Sequence, residues 1–119
     1  MPEIIDCEDA AAWERWLAAH HDDRTEVWIR IAKKRSGIAS VDAYDGTEMA
    51  LCFGWIDGHR RGLDETRFLQ RYSPRRRRSP WSAINVARAE RLIELGWMRP
   101  AGFAAIEAAR ADGRWAAAS

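Results

Sequence analysis

The sequence predicts an α+β fold: a small antiparallel sheet of three or more strands packed with about four helices, in one domain covering residues 1–119. Three observations predict it. Some stretches repeat apolar residues at the 3.6-residue helical period between sharp start and stop residues, and others alternate apolar and polar residues like half-buried strands. No internal repeat, linker or low-complexity tract divides the chain, whose 119 residues suffice for one sizeable core. A composition that is 47% hydrophobic and 31% charged excludes a wholly disordered chain.

The first element is a helix over residues 8–20, with Asp9 as N-cap and Trp13, Trp16, Leu17 and His20 on one face. Residues 26–33 form a strand, with Val27, Ile29 and Ile31 on one face and Trp28 and Arg30 on the other. A basic loop leads to a second helix over residues 43–53, capped by Asp42, with Asp45 completing a capping box. Gly46 within it costs up to about 1 kcal/mol relative to alanine. Gly54 ends this helix. Residues 55–62 and 66–72 form two strands about a turn at Leu63, Asp64 and Glu65, with Phe68, Gln70 and Tyr72 sharing a face.

The next helix is expected to start at Ser79 as N-cap with Pro80 at the first helical position, and to end before Gly96. A last helix runs over residues 100–112 and stops at Gly113. Of the seven tryptophans, Trp13, Trp16 and Trp28 are assigned to the core.

Several function classes are excluded or unsupported. Cys7 and Cys52 are expected to be free thiols, and no metal-ligand spacing joins the two cysteines and three histidines. The start of the chain lacks the basic and apolar regions of a secretory signal, and no apolar run approaches the roughly 20 residues of a membrane span. A cytoplasmic placement is therefore expected. No phosphate-binding glycine loop is present, and no cofactor is expected.

Net charge is only +1, but Arg60, Arg61, Arg67, Arg71 and the run Arg75, Arg76, Arg77 and Arg78 crowd into one stretch. In the Ser79-capped reading, four arginines precede a helix N-terminus, whose free N–H groups already carry partial positive charge. A phosphate, a carboxylate or a nucleic-acid backbone would make this useful; otherwise the run is a solvated basic loop. On the following helix, Trp81, Ile84, Leu92 and Leu95 define an expected buried arc that also contains Asn85 and Arg88. Buried, these two need partners, and Asp57 is the candidate partner for one of them. The three form either a structural polar lock or the wall of a pocket, with Trp81 as core or as a stacking platform. His59 shares a strand face with Asp57, but no nucleophile-elbow pattern surrounds Ser79 or Ser82.

Four blocks resemble a known family: Ala50-Leu51-Cys52-Phe53-Gly54-Trp55-Ile56-Asp57-Gly58, Tyr72-Ser73-Pro74-Arg75-Arg76, Ser79-x-Trp81-Ser82-x-x-Asn85, and Gly96-Trp97-Met98-x-Pro100-Ala101-Gly102. They are similar to motifs of the YdeI/OmpD-associated, or bacteriocin-protection, proteins over about residues 13–115. The resemblance implies a link to stress or antimicrobial-peptide resistance. It carries over Trp55, Asp57, Arg75, Ser79, Trp81 and Asn85 as the positions matching the family's motifs. Longer members continue past the position of Trp115 into a basic helical region.

Together these readings predict a non-catalytic binding module for a small anionic ligand or phosphate group. Its surface comprises Trp55, Asp57, Arg71, Arg75, Arg76, Ser79, Trp81, Asn85 and Arg88. Nucleic acid is an alternative ligand, since arginines interleaved with aromatics suit a phosphate backbone with stacked bases. An enzyme acting on a small anionic metabolite, with Asp57 or His59 as acid/base, is the other alternative.

Overall fold

Alternating side chains build the sheet and periodic ones cover it. A computed structural model describes residues 2–119. The elements in order are β1 (Ile4–Asp6), α1 (Ala10–His20), β2 (Val27–Ala32), α2 (Ala43–Cys52), β3 (Trp55–Gly62), β4 (Arg67–Pro74), α3 (Ala83–Glu94) and α4 (Pro100–Ala111). The strands lie in the order β1-β2-β4-β3. The α+β class is as the sequence predicts. The sheet is mixed rather than purely antiparallel, because β1 adds a parallel edge strand to β2. Three residues are too short for alternation to register; pairing recruits them, with the Trp28 N–H donating to the Glu3 carbonyl at 2.9 Å.

The pairing register sorts the side chains by face. Val27, Ile29 and Ile31 of β2 sit opposite Tyr72, Gln70 and Phe68 of β4, and this face points into the core. Trp13 and Leu17 of α1, Leu51 and Cys52 of α2, Leu92 of α3 and Ile106 of α4 close over it. The reverse face carries Trp28 and Leu69, both buried yet outside that core cluster.

α2 touches α1, α3, α4 and β3, and two of its features depend on glycine. A Cβ on Gly46 would lie 2.6 Å from the Tyr72 hydroxyl, and the Gly46 carbonyl accepts from Trp13 Nε1 at 3.0 Å. This mid-helix glycine therefore admits the Tyr72 ring. Gly54 ends α2 in the left-handed region at φ 75°, beneath Ala101 of α4. Asp9 and Asp42 cap α1 and α2 as predicted, accepting the N–H groups of Ala12 and Asp45. Cys7 and Cys52 are free and buried.

The start of α3 departs from expectation. Ser82, not Ser79, is the N-cap, its hydroxyl accepting the Asn85 N–H at 3.1 Å. Ser79 instead closes a tight turn, accepting the Arg76 N–H at 3.0 Å, and Pro80 lies outside the helix. Both serines have the local chemistry of a cap. Burial of Trp81 against Trp115, with ring centroids 5.0 Å apart, is the long-range contact that favours the later start. The expected buried arc is corrected accordingly. Trp81 and Leu92 are buried, but Ile84 is 66% exposed and Leu95 is also exposed, and Ala89 takes the inward position.

Candidate functional site

β4 runs out at Pro74, which has no N–H to extend the ladder. The next residue stays anchored, the Arg75 N–H donating to the Gly54 carbonyl at 3.0 Å. The chain then turns through residues 76–79, and the Arg75 side chain folds back over Trp81. Its guanidinium carbon sits 3.9 Å from the indole centroid, and Nη2 donates to the Pro80 carbonyl at 2.8 Å. Nε and Nη1 are buried without a partner. Burial, and then the neighbouring Arg114, pull the Arg75 pKa down to about 10. Arg114 is itself held by Asp112 at 2.8 Å and donates to the Ser79 carbonyl.

A cavity of about 370 Å³ opens beside this pair. Arg75, Arg76, Arg77 and Arg114 make its basic side, while Phe53, Trp55, Pro74 and Trp81 contribute apolar wall; Asp22 is its one carboxylate and His21 its one imidazole. That volume lies in the range of small-molecule sites. A second, more polar depression of about 430 Å³ shares Pro74, Arg75 and Arg76 and adds Thr25, Glu26, Arg71 and Ser73. There Arg71 Nε donates to Glu26 at 2.6 Å, and this bond holds the Glu26 carboxyl below the usual carboxylate range.

A third cavity, of about 400 Å³, lies between α1, α2 and the loop before α4, lined by Glu14, Asp45, Glu48, Trp97 and Arg99. Burial, and then Asp42 and Glu48, raise the Asp45 pKa. Its lining sets three carboxylates against one arginine.

Of the predicted positions, Trp55, Arg75, Arg76 and Trp81 meet at the 370 Å³ cavity, and Arg71 lines the adjoining depression. Trp55 is almost wholly buried, its Nε1 donating to the His21 carbonyl at 3.2 Å. Trp81 is core: it is buried, packed on Trp115 and covered by Arg75. Ser79 supports the turn and presents its carbonyl to Arg114, but it starts no helix.

The expected association of Asp57 with Asn85 and Arg88 is not formed. Asp57 is exposed on β3, opposite Tyr72 at the edge of a register shift. Arg88 donates to Asn85 within α3 at 3.2 Å and lies over Tyr44. Arg88 is thereby directed to α2 rather than to β3. His59 is exposed, and the Ser79 and Ser82 hydroxyls each accept a backbone N–H. Among the described residues no hydrogen bond links either serine to His59 or Asp57.

Sequence reasoning missed Arg114, Phe53 and His21. Arg114 had a weak signal, since Gly113 with φ 88° ends α4 and turns Arg114 and Trp115 back onto the Ser79–Trp81 segment. No group of three or more metal-ligating side chains occurs among the described residues, and none of their helices is long and apolar enough to cross a membrane. Among protein families, the model of a domain of unknown function, DUF8412, matches residues 5–105. No curated protein and no solved structure matches the chain.

Proposed function

The chain belongs to the DUF8412 family, whose description assigns no activity, and on the geometry of the Arg75 cavity we propose that it is a non-catalytic binding module for an anionic ligand. One observation carries the reading. Arg75 holds its charge in a largely buried position, with Nε and Nη1 unpartnered and a second arginine close enough to depress its pKa. Among the described residues no carboxylate pairs with this guanidinium, whose cost of burial is offset only by Trp81 and the Pro80 carbonyl, and a fold that keeps such a cation at the wall of a cavity is suited to receive negative charge. The exposed rim, Arg76 and Arg77, adds charge-assisted hydrogen bonds. Phe53, Trp55 and Pro74 favour a ligand with a flat apolar part beside its anionic group.

Asp57 and His59 stand exposed outside this cavity, so nothing in its lining supports acid/base chemistry by either. The resemblance to bacteriocin-protection proteins would place such binding in stress or peptide resistance, a second level of the proposal. Titration of tryptophan fluorescence with inorganic phosphate and phenyl phosphate at low salt tests the first. The expected result is saturable binding, tighter for phenyl phosphate, weakened several-fold by R76A and R77A and by added salt. Absence of a saturable response to either ligand would overturn it.

A further inference from the structure

The face of the sheet turned away from the core is basic too. Cross-strand partners share a face, and the register places Trp28 beside Arg71, Arg30 and Arg61 either side of Leu69, and Arg67 opposite Ala32. Four arginines thus stand on this face, against the carboxylates of Asp6 and Glu26. Asp6 bonds Arg30 at 2.9 Å and reaches Arg67 only at 3.9 Å, while Glu26 is taken by Arg71. Arg67 Nε is buried without a partner, the same condition found at Arg75. Arg61 has no carboxylate within ion-pair distance among the described residues, and lies 5.1 Å over the Trp28 ring. At its β4 end the face runs through Arg71 and Ser73 into the depression shared with Arg75 and Arg76.

We infer that this sheet face binds single-stranded nucleic acid, continuing the Arg75 cavity into one track of arginines along β4. The inference rests on the anion-binding reading of that cavity and names its ligand class. From Arg67 to Arg75 is eight residues, about 26 Å at the rise of a strand. That suits about four nucleotides, the lower end of single-strand site sizes. The aromatic groups select a single strand over a duplex, because only unpaired bases expose the flat faces that stacking needs. One base enters the cavity against Pro74 and the exposed Arg76 guanidinium. Another replaces Arg61 over Trp28, freeing that guanidinium for a phosphate. Arg67, Arg71 and Arg76 follow the backbone.

The test compares the intact chain's affinity for fluorescein-labelled oligothymidylate and oligouridylate of twelve nucleotides with its affinity for phosphate and thymidine monophosphate, across a salt series. The expected result is oligonucleotide binding at least about 10-fold tighter than the mononucleotide. Four neutralised phosphates give a log–log salt slope near −3, from about −0.7 per phosphate. R61Q and R67A each weaken the oligonucleotide several-fold and reduce the slope by about one contact, leaving phosphate affinity unchanged; R61Q, altering an exposed side chain, decides the matter should R67A lower stability.

If phosphate binds but the oligonucleotide is no tighter and ignores both substitutions, the sheet face is refuted while the cavity stands. If neither binds, both readings fall. Equal affinity for a twelve-base-pair duplex or for dextran sulfate would refute single-strand recognition.

Discussion

Replacing Arg75 by methionine separates a cation kept for a ligand from one kept for the fold. The fall of its pKa from 12.5 to about 10 sets an upper bound of about 3 kcal/mol against the charged form, and screening of this half-buried side chain lowers it to about 2 kcal/mol. On the other side stand its contact with Trp81, about 1–2 kcal/mol for a desolvated cation–π pair, and its bond to the Pro80 carbonyl, about 1.5–3 kcal/mol for a charged donor. At the lower ends of those ranges these nearly cancel, so R75M should unfold within about 1 kcal/mol of the parent in urea. An ordinary buried side chain truncated to alanine costs about 2–5 kcal/mol. Ligand response should diverge sharply. Phosphate at about 100-fold its dissociation constant stabilises the parent by about 2.7 kcal/mol, a rise of about 10 °C in Tm for a domain of this size. R75M should move by less than about 2 °C, with chloride at matched ionic strength as the control. A loss above about 3 kcal/mol in R75M, together with a parent indifferent to phosphate, would mean that Arg75 is a structural brace.

The remaining predictions concern the frame around the site. S82A should lower stability by about 1 kcal/mol in urea unfolding, as loss of an N-cap does; S79A should stay within about 0.5 kcal/mol, and the reverse order would contradict the observed start of α3. G46A forces a methyl towards the Tyr72 hydroxyl and should cost about 2–3 kcal/mol, part of which Y72F recovers in the G46A background; a G46A domain of unchanged melting temperature would refute that packing. Burial raises the thiols of Cys7 and Cys52 to about 11. Unfolded thiols ionise near pH 9 while the folded ones stay protonated, so the unfolded state holds fewer protons and stability falls as pH rises from about 9 to 11. By pH 10 the loss should be about 1 kcal/mol per thiol, seen as a falling urea midpoint that the C7A/C52A double variant flattens. Arg75, shifted in the opposite sense, opposes this trend only above about pH 10.

What the sequence determined alone was whatever depends on neighbours along the chain. The caps at Asp9 and Asp42, the alternation of Val27, Ile29 and Ile31, and the stops at Gly54, Gly96 and Gly113 are local choices between a few backbone states. They sufficed for the α+β class; Arg75 and Arg76 stood out through the arginine run, and Trp55 through the family resemblance. Tertiary structure alone decided which of two capping serines begins α3, because the deciding contact joins Trp81 to Trp115 across 34 residues of chain. Packing across the fold likewise left Asp57 apart from Asn85 and Arg88, brought Arg114 beside Arg75, and added the short strand β1 to the edge of β2. A side chain's partner across the fold leaves no periodicity in the sequence; burial and charge acting through space select it.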